Sequence, residues 1–258
     1  MNRIDQLFAS NKKNLLSVYF TAGFPQLNDT VEIIKALDAA KIDMVEIGMP
    51  FSDPMADGPV IQNSSHIALQ NGISQQLLFE QLKDIRKHTD MPLILMGYIN
   101  PVMQFGFENL CKKAVEVGID GFIIPDIPLD IYRKEFAPIV NKYDSRFILL
   151  VTPETPEERV REIDEASSGF IYLVSSASTT GAQNEFNDQK QAYFKRIEAM
   201  NLRNPLMVGF GVSNKATFDA AAAHTRGCIV GSAFIKSLQE HDTITGAVEA
   251  LVGRVKGV

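Results

Sequence analysis

Met44-Val45-Glu46-Ile47-Gly48-Met49-Pro50-Phe51-Ser52-Asp53-Pro54-Met55-Ala56-Asp57-Gly58-Pro59 begins as a short apolar run and breaks at Gly48 and Pro50 into a long loop. An apolar run of this length, ended by glycine and proline, predicts a strand over Met44–Gly48. The same unit recurs along the chain. Apolar runs predict seven further strands at Leu15–Thr21, Pro92–Tyr98, Gly121–Pro125, Phe147–Val151, Phe170–Val174, Leu206–Gly209 and Cys228–Gly231. Helical periodicity fills the gaps at Asp29–Ala40, Gln75–His88, Glu108–Val117, Ile131–Tyr143, Pro156–Ala166, Gln189–Met200, Lys215–Ala223 and Thr243–Val255. Strands apolar on both faces, alternating with helices, imply a parallel sheet covered on its outside. Eight such units in 258 residues is the size of a (β/α)₈ TIM barrel. A doubly wound open sheet would need Gly-x-Gly-x-x-Gly after the first strand, and none is there. No linker or shift in composition divides the chain, so a single barrel domain is expected over residues 1–258. Extra short helices are expected too, one over Met1–Ser10 closing the barrel floor.

A formal charge of −6, with no dense Lys/Arg cluster, argues against nucleic-acid binding. No apolar run is long enough to span a bilayer, and no secretory leader pattern opens the sequence. The two cysteines, Cys111 and Cys228, fall in helical and strand patterns, as reduced core thiols of a cytoplasmic protein would. His66, His88, His224 and His241 have no ligand spacing, so no metal is expected.

Barrel geometry sorts the polar residues. Active sites of this fold lie at the C-terminal ends of the strands. Two strand-to-helix loops are long, Met49–Pro59 and Ser175–Asn187. Glu46 is a carboxylate inside an apolar strand, and burying it ionised is costly. It reads either as a structural ion pair or as a catalytic acid. Period-two alternation puts Met44, Glu46 and Gly48 on one face and Val45 and Ile47 on the other, so Glu46 points into the barrel if Val45 and Ile47 meet helices. Asp57, in the following loop, reads either as a turn aspartate or as the second member of an acid–base pair.

A second constellation closes the chain. Gly209-Phe210-Gly211 follows the seventh strand, and Gly231-Ser232 follows the eighth and opens Ala233-Phe234-Ile235. Glycines allow close approach of backbone N–H groups to an anion, and these two loops are the usual phosphate site of the architecture. Thr180-Gly181 in the sixth loop would add a donor if that loop closes over the ligand. No predicted strand contains lysine, which leaves a Schiff-base aldolase without a nucleophile, and none contains histidine for a metal-dependent one. Two carboxylates, the hydroxyls of Tyr19, Tyr98 and Tyr172, and a phosphate cradle suit proton transfer on a small phosphorylated substrate, with no cofactor needed.

At this point the residues resemble those of a known family. Glu46 through Gln62, Glu-Ile-Gly-Met-Pro-Phe-Ser-Asp-Pro-Met-Ala-Asp-Gly-Pro-Val-Ile-Gln, resembles the signature of tryptophan synthase alpha subunits. The likeness continues in order through Phe20–Pro25, Tyr98–Pro101, Ile124–Pro128, Tyr172–Ser175, Gly209–Ser213 and Ile229–Ala233, and covers essentially the whole sequence. The resemblance implies a barrel that cleaves indole-3-glycerol phosphate to indole and glyceraldehyde 3-phosphate. It implies a beta subunit partner, in an alpha2beta2 heterotetramer, that takes the indole. It also implies Glu46 and Asp57 as catalytic acids. The family's indole pocket falls on Tyr19, Met96, Ile123, Pro125 and Tyr172, and its phosphate site on Gly181, Gly209, Phe210, Gly211, Gly231 and Ser232. Its subunit contact falls on Asp53, Pro54, Asn100 and Pro101. One departure lies in the sixth loop, where Ser176-Ala177-Ser178-Thr179-Thr180-Gly181 stands in place of Arg-Thr-Gly-Val-Thr-Gly.

The chemistry fits. Breaking the bond between indole C3 and the glycerol chain is a retro-aldol step that needs an electron sink, and indole protonated at C3 is its own sink. Other phosphate-binding barrels would need a catalytic lysine or metal ligands at the strand ends. A free-standing indole-glycerol-phosphate lyase and a catalytically idle regulatory subunit remain as alternatives.

Overall fold

The computed structural model describes residues 1–175, 188–209 and 211–257. Eight strands form a closed barrel in sequence order: β1 (Leu15–Thr21), β2 (Met44–Gly48), β3 (Leu93–Met96), β4 (Gly121–Ile123), β5 (Arg146–Val151), β6 (Ile171–Val174), β7 (Leu206–Gly209) and β8 (Gly227–Val230). Each strand pairs in parallel with the next, and β8 closes on β1. The expected (β/α)₈ barrel is therefore present, with every strand within a few residues of its predicted place. Among the described residues, no helix is long and apolar enough to cross a membrane.

The alternation read from β2 holds in three dimensions. Val45 and Ile47 belong to the outer apolar layer between barrel and helices, together with Leu16, Val18 and Phe20 of β1. Met44 belongs to a separate inner cluster with Leu15, Ile94, Ile123, Ile148, Phe170, Tyr172, Met207 and Ile229. Register pairs Tyr19 with Glu46 and Glu46 with Ile94, which puts Glu46 on the inner face.

The floor is shut by the helix Arg3–Ala9, as expected from Met1–Ser10. Asn2 caps it by accepting the Ile4 N–H, and Ile4 and Phe8 join the inner cluster, with the Phe8 ring 5.8 Å from that of Phe170. Arg3 pairs with the buried Asp120, and Arg146 grips Asp5, so the plug is pinned to β5 and to the residue before β4. Among the described residues, the C-terminal mouth is the end left to admit a ligand.

The helices depart from the sequence reading in instructive ways. Pro59–Gln70 and Ile99–Phe105 are helices that the periodicity did not pick out. Pro59 sits in the first turn of one and Pro101 near the start of the other, positions where a missing N–H costs nothing. The polar run Asn63-Ser64-Ser65-His66 hides the apolar period of the first. The predicted helix Gln75–His88 ends at Leu82, followed by a 3₁₀ turn over Ile85–Lys87. Ile131–Tyr143 contains a π-turn over Tyr132–Phe136 before Ala137–Lys142. Pro138 lacks the N–H that would continue the α-helical ladder, and a widened turn absorbs the gap. The segment after β8 is a nine-residue helix, Ser232–Glu240, longer than expected, that buries Ala233, Phe234 and Ile235.

Candidate active site

Glu46 is completely buried. Its Oε1 accepts a 2.9 Å hydrogen bond from the hydroxyl of Ser17 on β1, and its Oε2 has no hydrogen-bond partner among the described residues. No cation among those residues pairs with it, so the ion-pair reading fails. Burial, opposed by the Ser17 hydrogen bond, pushes its pKa up to about 8. At neutral pH the group is a carboxylic acid with a proton to give.

Asp57 is held differently. Its Oδ2 accepts 2.9 Å from the Tyr98 hydroxyl, whose oxygen in turn accepts the Ala56 N–H at 3.1 Å. The Asp57 N–H donates to the Pro54 carbonyl at 3.1 Å, and Gln62 Nε2 donates to the Asp57 carbonyl at 2.9 Å. The Phe51 ring leans on Tyr98, centroids 5.4 Å apart. These contacts fold the loop back over the mouth. Burial, opposed by the Tyr98 hydrogen bond, raises Asp57 to about 6, so it is mostly ionised at neutral pH. Two carboxylates in different surroundings are thus poised on opposite sides of neutrality, which is how one site holds both an acid and an anion.

A cavity of about 520 Å³, counting its open mouth, lies against Asp57, and Tyr19, the strand neighbour of Glu46, is part of its wall. Tyr19, Met96 and Pro125 line it beside Asp57 and Tyr98, with Met49, Phe51 and Leu150 adding apolar wall. Three of the five residues assigned to the indole pocket are therefore at the cavity surface. Ile123 and Tyr172 are buried in the inner cluster beneath it. Burial, then Asp57, pushes the Tyr19 phenol far above its ordinary range, and burial, then Glu46 and Asp57, does the same to Tyr172. Both phenols stay neutral donors at any working pH.

At the far side of the mouth, Gly231 caps the helix Ser232–Glu240. The first N–H groups of any helix lack intrahelical acceptors, and its N-terminal dipole favours anions. A side chain at Gly231 would come within 3.3 Å of the Tyr19 ring, and Gly211 has φ +78, which favours glycine. Gly209 has a different reason to be glycine than the anion cradle. A Cβ there would stand 2.0 Å from the Tyr172 hydroxyl, so the missing side chain makes room for that ring. Thr180, Gly181 and Phe210, assigned to the lid and the phosphate site, lie outside the described residues, as does the departure at Ser176–Gly181.

The rim carries the residues assigned to a partner. Asp53 and Asn100 are exposed, Pro54 and Pro101 are half-buried, and Met55 and Met103 nearby expose most or half of their side chains. The Tyr98–Asp57 bond joins the two rim segments.

The sequence matches the profile of the Tryptophan synthase alpha chain family over residues 5–256. It is 58% identical to the Tryptophan synthase alpha chain of Parabacteroides distasonis over 99% of this chain and 100% of the relative. The chain belongs to the tryptophan synthase alpha chain family. The Bacteroides thetaiotaomicron member is 58% identical over the same shares of both chains. The fold superposes on a chain from a crystal structure of the tryptophan synthase complex of Pyrococcus furiosus with a TM-score of 0.87, 34% identity and coverage of 96% and 99%.

Within that family fold, two contacts escaped the sequence. Tyr98 was noted as a hydroxyl near the mouth, not as the residue that holds Asp57. Ser17 was not noted at all. Its one signal was a hydroxyl two residues before Tyr19, on the same face of a mostly apolar strand.

Proposed function

We propose that this chain cleaves indole-3-glycerol phosphate to indole and glyceraldehyde 3-phosphate, with Glu46 as the proton carrier and Asp57 as the anion facing the indole ring. The observation that carries this reading is the pair of environments. Glu46 is buried and protonated at neutral pH, and Asp57 is tethered by Tyr98 and ionised. Glu46 delivers its proton to indole C3, and the ring nitrogen takes up the positive charge beside Asp57. The Glu46 carboxylate then removes the proton from the hydroxyl on the adjacent glycerol carbon. That carbon becomes an aldehyde as its bond to C3 breaks, and the bonding pair returns to the ring, restoring neutral indole. Apolar walls from Tyr19, Met96 and Pro125 suit the flat ring. Glycines at the ends of β7 and β8, with the helix N-terminus after Gly231, suit the phosphate.

Gly231→Asp should raise KM by at least about tenfold more than Gly231→Asn does, because only the first adds a like charge where phosphate sits. Steady-state kinetics on both variants, with inorganic phosphate as a competitive inhibitor of wild type, measure this. Equal KM values for the two variants would place the phosphate elsewhere.

We further propose a beta subunit as partner, docking against Asp53, Pro54, Asn100 and Pro101. The Pyrococcus furiosus relative comes from a tryptophan synthase complex, and the rim exposes Met55 and Met103 beside those residues. Docking there acts directly on Asp57, whose N–H already bonds Pro54. A partner that prefers the ordered loop raises the competent population by at most its preference for that form. Titrating a beta subunit into the isolated chain should therefore increase indole production, and by reciprocity a ligand in the barrel should tighten the complex. A lone chain already at full rate and indifferent to the partner would make this a free-standing lyase. No indole under either condition would make it a regulatory subunit.

A further inference from the structure

The inner face of β1 carries one hydroxyl at the level of the barrel core, Ser17, between Leu15 below and Tyr19 above. Register sets Ser17 beside Met44 on one side and Ile229 on the other, both apolar and buried. A hydroxyl completely buried among such neighbours needs a partner, and its partner is Glu46 Oε1 at 2.9 Å. Glu46 is completely buried too, and its second oxygen is left without a bond among the described residues. The two oxygens of the acid are therefore not equivalent. A serine O–H that donates to Oε1 makes that oxygen the carbonyl side of the neutral acid.

We propose that Ser17 is a positioning residue for C–C cleavage, anchoring Oε1 of Glu46 so that the proton travels on Oε2. This inference rests on the reading of Glu46 as proton carrier. Between the two proton transfers Glu46 is a carboxylate in an apolar chamber, and the Ser17 hydroxyl is its one hydrogen-bond donor among the described residues. Hydrogen bonds to a charged acceptor are roughly twice as strong as neutral ones. The anchor thus favours the ionised state over the acid while fixing which oxygen faces the substrate.

Few other groups can mimic this effect. Tyr19 from the same strand, Tyr172 from β6, Tyr98 after β3 and Asp57 from the loop after β2 are the titratable groups felt at the inner face, and all are acidic. The phenols all titrate far above Glu46, and Asp57 is already charged where Glu46 ionises. Among the described residues, no basic group from these elements stabilises the Glu46 carboxylate.

The test pairs Ser17→Ala, which removes one oxygen, with Ser17→Thr, which keeps the hydroxyl. The infrared band of the protonated Glu46 carboxyl, assigned by its absence in Glu46→Gln, is titrated against pH in each protein. In Ser17→Ala the midpoint should rise by about one pH unit, because the bond that favours the carboxylate is lost. The alkaline limb of kcat/KM should rise with it, and kcat should fall about tenfold with KM within about twofold. Ser17→Thr should restore both midpoint and kcat. A folded Ser17→Ala whose band midpoint does not move overturns the anchor. A midpoint that moves while kcat and its alkaline limb stay put overturns the positioning role. Full turnover in Glu46→Gln would instead overturn the underlying assignment of Glu46, whatever Ser17 does.

Discussion

Glu46→Gln should lose turnover by about 10⁴-fold or more, with KM little changed. Each proton-transfer role of a positioned side chain is typically worth about 10²–10⁴ in rate, and Glu46 is assigned two, delivery to C3 and removal from the glycerol hydroxyl. The amide keeps the shape and accepts the Ser17 hydroxyl as before, yet has no proton to give and cannot take one up. Single-turnover indole release measures the loss, and near-normal turnover would sink the assignment. Stability offers a second reading of the same residue. Glu46 titrates near 8 in the folded chain against an ordinary 4.5, so the native state holds a proton that the unfolded state has released. Stability on its account is fully present below about pH 4.5 and is lost as pH rises through about 8. The loss is on the order of a few kcal/mol. The glutamine amide of the variant does not titrate. Thermal melts should therefore show Glu46→Gln gaining on wild type steadily across that window, and a constant difference would mean Glu46 is not buried as an acid.

How far such a site can be read from sequence depends on whether its parts are fixed by local pattern or by contact. The barrel was legible because β2 and its seven counterparts are apolar on both faces, a pattern that a sheet covered on one side and filled on the other demands. Glu46 was legible for the same reason, since the period of two in Met44–Gly48 leaves it no direction but inward. The helices at Pro59–Gln70 and Ile99–Phe105 were hidden, because proline reads as a breaker unless one knows it stands in the first turn. Gly209 was legible as a glycine but not for its reason. Its partner is the Tyr172 hydroxyl, a contact between adjacent strands that no spacing along the chain encodes. Ser17 was overlooked, and Tyr98 was noted without its contact to Asp57, on the same ground. Each acts on a carboxylate 29 or 41 residues away, and the pairing of neighbouring strands, β1 with β2 and β2 with β3, brings them together.

Asp57→Asn should lower kcat/KM by about 10²–10³-fold, the usual cost of removing one group aimed at developing charge. The geometry explains why the amide is a poor substitute even though it is the same size. Tyr98 donates its hydroxyl to Oδ2 of Asp57, which leaves Oδ1 to accept the indole N–H. An asparagine has one oxygen for both donors, and its NH₂ would face one of them. It also carries no negative charge to oppose the cation that forms when C3 is protonated. The pH profile separates these effects from a folding defect. Asp57 titrates near 6, so the wild-type kcat/KM should fall as pH drops through 6 and the anion is lost, and should fall again as pH rises through 8 and Glu46 loses its proton. In Asp57→Asn the acidic limb should vanish while the alkaline limb stays. Tyr98→Phe supplies the complementary case. Without the phenol, the bond that holds the Asp57 pKa down is gone, so the acidic limb should move to higher pH and not disappear. An acidic limb that survives unchanged in Asp57→Asn would assign it to another group and remove Asp57 from the chemistry.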